Sequence, residues 1–214
     1  MINIKNMIKN KYKDKWVPYL TYAIIGINII IFLIEELNGG SENVDTSLRF
    51  GALFTPYVIV NGQLYRIFTS MFLHFGVEHI GSNMISLYAL GPYVEHYFGH
   101  TLFIVLYIFS GLCGNMATML YEGMTGNLTV SCGASGAIFG LLSVFLLFAF
   151  NERLRKIFPV RRVFFAILLS LTSGLTDPSI NFMAHFGGFI GGLVLSFIMQ
   201  EIIRYNVRRR KKSS

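Results

Sequence analysis

Charge is scarce in this 214-residue chain. Asp, Glu, Lys and Arg make up 14% of it against 53% hydrophobic residues, where a soluble globular domain carries roughly 25% charged residues. An ordinary soluble domain is thereby excluded, because too little polar surface is available to cover the Phe, Ile and Leu side chains. Cysteine is nearly absent as well. Cys113 and Cys132 flank a polar stretch and no C-x-x-C unit occurs, so neither a disulfide framework nor a thiol-based metal or redox site is indicated, and both read as small packing residues. There is no H-E-x-x-H motif, since Glu78 precedes His79 without a matching second histidine, which removes the zinc-protease pattern. G-x-S-x-G is missing too: Ala137 follows Gly133-Ala134-Ser135-Gly136, and an apolar run follows in turn, so the strand-turn-helix elbow of α/β hydrolases is not expected. No cofactor and no metal are expected.

What the chain has in abundance is long apolar runs, and a bilayer-spanning helix needs about 20 mostly apolar residues. Six spans are read at about 16–37, 78–98, 102–121, 133–150, 164–175 and 179–203. The expected fold is an all-α integral membrane protein, a six-transmembrane-helix bundle. The first run is longer than a signal-peptide core, lacks an A-x-A cleavage site and is followed by further spans, so it is expected to stay attached. Between the first two spans, 38–77 mixes Gly39, Gly40, Gly51, Pro56 and Gly62 with apolar stretches too short to cross; it is expected at the outer interface. Leu175-Thr176-Asp177-Pro178 reads as a turn, with Asp177 capping and Pro178 in the first turn of the last helix.

The net charge of +7 is distributed in a way that argues against nucleic acid as a partner. Lys5, Lys9, Lys11, Lys13 and Lys15 precede the first run; Arg153, Arg155, Lys156, Arg161 and Arg162 lie between the fourth and fifth; Arg204 and the stretch from Arg208 through Lys212 follow the last. Positive residues collect on cytoplasmic ends and loops, and six crossings put all three groups on one side. The chain therefore divides into a basic cytoplasmic tail at 1–15, a membrane domain at 16–203 and a second basic cytoplasmic tail at 204–214. Lipid is the expected surrounding, in a cell membrane and specifically a bacterial cytoplasmic membrane.

Glycines suggest how the helices assemble. Gly187, Gly188, Gly191 and Gly192 form overlapping small-residue pairs in the last span, while Gly133, Gly136 and Gly140 stand in the fourth and Gly91 and Gly99 in the second. Within lipid, close backbone approach between small residues takes over part of what apolar burial does in water. Packing explains the glycines but not the polar residues beside them. The second span contains His79 and Asn83, the fourth opens on Ser131-Cys132-Gly133-Ala134-Ser135-Gly136, and the sixth carries Asn181 and His185. Polar and ionisable groups inside a membrane are costly and mark functional sites. These three spans all run inward from the outer face, and at 1.5 Å rise per residue their polar groups fall in one outer layer.

Complementary chemistry accompanies the shared depth. A serine hydroxyl needs a base to take its proton as it attacks, and a neutral imidazole can do so; Ser135 and His185 form such a pair. At the amino end of its helix, Ser135 sits among backbone N–H groups free to face a developing oxyanion. His79 and Asn83, one turn apart on one face, add side-chain donors, and Gly133 and Gly136 leave room for a substrate chain. Asn181, a turn before His185, is a candidate for orienting water or a substrate carbonyl. His96 and His100 belong to the inner end and read as interface residues. A transporter would require a continuous polar pathway or repeated halves, whereas this cluster is confined to the outer layer. An inactive client-binding protein would not need Ser135 and His185.

The combination His74-x4-His79-x3-Asn83, Gly133-Ala134-Ser135-Gly136 and Ala184-His185-Phe186-Gly187-Gly188 resembles the rhomboid family of intramembrane serine proteases over essentially the whole six-helix core. Gly91-x3-Glu95-x3-Gly99 is similar to that family's second-helix motif, and Tyr65-Arg66 stands where the family usually has Trp-Arg. The resemblance implies Ser135 as nucleophile, His185 as general base and then acid, and the Ser135 N–H, His79 and Asn83 as oxyanion donors. It further implies that His74 is structural and Glu95 a polar anchor near the inner face. Phe139 stands where many members have a tyrosine packed on the catalytic histidine, and Gly188 is part of the packing glycines. Substrates would be single-span or multi-span membrane proteins, cut near the outer face.

Overall fold

A computed structural model describes residues 16–176 and 181–213. Helices are the regular elements of the described chain, joined by irregular connections and one antiparallel bridge between Leu53 and Ser131. Its helices are α1 (Tyr19–Leu37), α2 (Val44–Phe50), α3 (Thr55–Ile59), α4 (Arg66–Thr69), α5 (Gly76–Phe98), α6 (His100–Thr125), α7 (Ser135–Phe150), α8 (Val160–Thr176) and α9 (Phe182–Ser213). Of these, α1, α6 and Phe182–Arg209 of α9 are long and apolar enough to cross a membrane, and α7 is a shorter apolar helix. The protein is accordingly a membrane protein. The basic tail read at 1–15 and the turn residues Asp177 and Pro178 lie outside the described residues.

Helix ends depart from the sequence expectation in physically interpretable ways. The last helix continues past residue 203 to Ser213, because loss of apolarity marks the edge of the lipid, whereas Arg and Lys are good helix formers in water. The fourth starts at Ser135 rather than at Gly133, since Gly133 has φ +135°, outside the helical region.

Glycine lets α6, α7 and α9 touch through their backbones. A side chain on Gly188 would run into the backbone of Gly136, one on Gly192 into that of Gly140, and one on Gly114 into the Ala184 carbonyl. Each contact places a stretch of α9 directly against α7 or α6, a spacing only residues without a Cβ allow.

At the opposite end of the bundle from Ser135, the fully buried Glu95 ties α5 to the start of α1. Its carboxylate accepts from the Leu20 N–H at 3.1 Å, the Thr21 N–H at 2.8 Å and the Thr21 hydroxyl at 2.6 Å. It also meets His100 Nδ1 at 2.5 Å. The first N–H groups of a helix have no partner within it, and here a carboxylate from a neighbouring helix supplies one. His96 and His100 sit in the same place, with Trp16 edge-on to His96 at 4.5 Å and stacked on His100 at 5.4 Å.

The segment between α1 and α5 is organised by Arg66. Its guanidinium donates to the Leu48 carbonyl at 2.8 Å, the Ala52 carbonyl at 2.9 Å and Gln63 Oε1 at 2.6 Å, and lies over the Tyr57 and Tyr65 rings. A fork of fixed donors holding carbonyls from two neighbouring turns makes one folded unit of a stretch that has no periodic pattern of its own.

Candidate active site

Ser135 is the first residue of α7, His79 the fourth of α5 and His185 the fourth of α9, so all three stand at the amino ends of their helices. They open on one cavity of about 1650 Å³, which Asn83, Gly133, Phe139 and Asn181 also line. Ser135 and His185 are brought together by the backbone seam, for the Gly136 carbonyl lies beneath Gly188 and the Ala184 carbonyl lies 3.2 Å from where a Gly136 Cβ would stand. No hydrogen bond joins the Ser135 hydroxyl to the imidazole among the described residues. In hydrolases such bonds often tighten only when substrate is present.

His185 is buried, and its Nδ1 has no hydrogen-bond partner. Among the described residues no carboxylate orients the ring from behind, as one does in a three-residue arrangement. Its plane is set by Phe139, whose ring stacks on it at a centroid distance of 4.1 Å and an interplanar angle of 13°. The aromatic face does this work without a hydroxyl.

Two donors surround Gly133. His79 Nδ1 accepts from the Phe75 N–H at 3.4 Å, which leaves Nε2 carrying the ring proton. That Nε2 lies 2.9 Å, and Asn83 Nδ2 3.7 Å, from where a Cβ on Gly133 would stand. Asn83 Nδ2 is itself buried without an acceptor. A buried donor without a partner is uncommon in a folded protein, and this one lines the cavity beside Gly133. Together with the first N–H groups of α7, these donors suit an oxyanion two residues from the serine. Gly133 and Gly136 line the cavity, but the room expected there for a substrate chain is taken up, at Gly133 by the His79 ring and at Gly136 by the Ala184 carbonyl of the neighbouring helix.

His74 is fully buried beside His79, the two rings edge-on at 5.2 Å. Burial, with the neighbouring His79 as a smaller cause, pushes His74 down to about 3, so the ring is neutral and its Nε2 receives the Ala134 N–H at 3.5 Å. Asn181, read as a candidate for orienting water or substrate, is engaged on both sides of its amide. Its oxygen caps α9 by accepting from the Ala184 N–H at 3.0 Å and also takes the Thr118 hydroxyl at 3.2 Å, while its nitrogen donates to the Ser131 hydroxyl at 2.8 Å. Cys113 and Cys132 are both free thiols. Sequence reasoning missed the polar stripe of α6, formed by Asn115, Thr118 and Glu122. Their spacing of three and four was the available signal, being that of one helix face.

A model of the Rhomboid domain family matches residues 61–202, more than half of the chain. Among similar proteins, Rhomboid protease GluP of Bacillus subtilis (strain 168) is 33% identical over 176 residues, covering 82% of this chain and 34% of that protein. RHOMBOID-like protein 1 of Arabidopsis thaliana is 30% identical over 213 residues, 86% of this chain and 54% of that one. YdcA of Bacillus subtilis (strain 168) is 34% identical over 190 residues, 85% of this chain and 88% of that one. The chain thus spans about a third of the first relative and about half of the second. With a glycine-seamed helical bundle, a membrane-compatible surface and this match, the chain belongs to the rhomboid family.

Proposed function

We propose that this protein is an intramembrane serine endopeptidase that cuts transmembrane segments of membrane proteins near the outer face of a cell membrane. In this reading six helices cross the bilayer, both termini are cytoplasmic, and the amino ends of α5, α7 and α9 lie just inside the outer boundary. The observation that carries it is the meeting of Ser135, His185 and the unpaired Asn83 donor on one cavity.

The substrate's helix first unwinds locally, because an intact helix keeps its carbonyls in its own ladder. Ser135 Oγ then attacks the exposed carbonyl carbon as His185 takes the hydroxyl proton. The carbonyl oxygen gains charge and is met by the Ser135 N–H, His79 and Asn83. Collapse of the tetrahedral species breaks the C–N bond, and His185 delivers the proton to the leaving nitrogen. Water, deprotonated by the same imidazole, cleaves the ester and restores the serine.

A fluorophosphonate probe reads the pair directly. Detergent-purified wild type should be labelled at Ser135, and His185→Ala should slow labelling by a factor on the order of 10² or more. Labelling of Ser135→Ala at the wild-type rate would overturn the assignment. Labelling of His185→Ala at that rate would leave the serine without its base.

A further inference from the structure

The nucleophile stands at the end of a connection that has no regular structure of its own. Gly126, at φ +75°, ends α6, and the chain reaches Ser135 through nine residues containing only the bridged position Ser131. Such a stretch is positioned by whatever takes up its backbone groups. Ser131 exchanges both backbone hydrogen bonds with Leu53, at 2.9 Å each; the Gly133 N–H donates to the Ser70 carbonyl at 2.9 Å; and the Ala134 N–H meets His74. All of those partners come from the segment between α1 and α5. One attachment to α6 differs in kind. There the Thr129 N–H donates to Glu122 Oε1 at 2.9 Å and the Thr129 hydroxyl to the same oxygen at 2.6 Å. The Thr55 hydroxyl, in the first turn of α3, donates to Glu122 Oε2 at 2.5 Å.

Glu122 is 2% exposed. One buried carboxylate therefore joins three elements: α6, which carries it; α3, which belongs to the same segment as Leu53, Ser70 and His74; and the connection leading to Ser135. Four residues earlier on the same face, Thr118 donates to Asn181, the cap of the helix that carries His185, and Asn181 donates to Ser131. The polar face of α6 is thus bonded to the approaches of both Ser135 and His185. Three hydrogen bonds, from the connection and from α3 together, converge on this one side chain, Glu122.

We propose that Glu122 is a positioning residue, whose carboxylate fixes the path of residues 126–134 and through it the place of Ser135 against His185. The proposal rests on the dyad reading for its effect on turnover but not for its effect on the connection. Misplacing a reacting group by about 1 Å can reduce rate about 10²-fold without touching the chemistry. Glu122→Ala should therefore lower kcat by about 10-fold to 100-fold per phosphonate-titrated site, with KM unchanged. Glu122→Gln should recover most of the loss, because its amide oxygen still accepts from Thr129 and its nitrogen can donate to a turned Thr55 hydroxyl. Thr129→Val, which removes one hydroxyl, gives a milder form of the same defect should the alanine variant fold poorly.

Cys132 supplies a readout independent of catalysis, since it lies three residues beyond Thr129 and lines the cavity. In a Cys113→Ala background, its alkylation by a maleimide should quicken several-fold on Glu122→Ala and stay near wild type on Glu122→Gln. Four results would overturn the proposal: kcat within twofold of wild type for Glu122→Ala and Thr129→Val, a raised KM at constant kcat, Gln no better than Ala, or unchanged alkylation in the alanine variant. Changed alkylation in a protein whose wild type neither cleaves nor labels would uphold the tie and reject the dyad.

Discussion

Ser135→Ala should abolish cleavage of a single-span substrate while leaving the protein folded. Removing an attacking hydroxyl takes away an interaction made only in the transition state, and losses on the order of 10⁴-fold or more in kcat are characteristic. Little should happen to stability, because the Ser135 hydroxyl makes no hydrogen bond among the described residues and alanine keeps the Cβ at the first position of α7, where helix propensity favours it. Cleavage of a fluorescent substrate in detergent reads the first effect, and a thermal unfolding curve reads the second. Activity preserved in a folded alanine variant would remove the proposed mechanism; a large fall in melting temperature would mean that Ser135 holds the fold together.

Gly188→Val should do the reverse and lose protein and activity together. The Cβ alone would overlap the carbonyl, carbon and Cα of Gly136. These are backbone atoms that cannot swing aside, so α7 and α9 must separate. Overpacking of a tight interior typically costs about 1–3 kcal/mol, and more where nothing can shift. Gly136 adjoins Ser135 and Gly188 lies three residues beyond His185, so the same displacement separates the reacting pair. Gly26→Ala is the matched control: nothing lies within 4 Å of its would-be Cβ in α1, and replacing an open helical glycine gains up to about 1 kcal/mol. Expression and melting behaviour of Gly188→Val equal to those of Gly26→Ala would disprove the backbone contact.

The sequence made the candidate site residues more legible than the scaffolding around them. Ser135, His185, His79 and Asn83 stood out because polar groups are conspicuous against lipid-facing residues, and helical rise converts position into depth. The same polarity works against the membrane signal: α5 carries Glu78, His79, Ser82, Asn83, Ser86, Glu95 and His96, and it is not among the helices apolar enough to qualify as a span. The motif around Glu95 suggests a polar anchor, while the identity of its partners, Leu20 and Thr21 on α1, comes from the structure alone. Arg66 with Leu48 and Ala52, and Glu122 with Thr55 and Thr129, left no such trace. These bonds join residues up to 67 positions apart, and neither periodicity nor composition carries information about which distant carbonyl or hydroxyl a side chain will meet. Asn181 shows the ambiguity most plainly, for an asparagine near a catalytic histidine and an asparagine capping a helix look alike until their partners are known.

The Gly136–Gly188 contact also bears on how this protein responds to warming. Side-chain interfaces loosen gradually as rotamers become populated, whereas two main chains lying directly on each other are either in register or apart. The affinity for substrate should accordingly hold steady with rising temperature and then collapse over a few degrees, at the point where circular dichroism first reports lost helix. A KM that climbs steadily well below that point would mean that the spacing of the two helices is set by something softer than peptide groups.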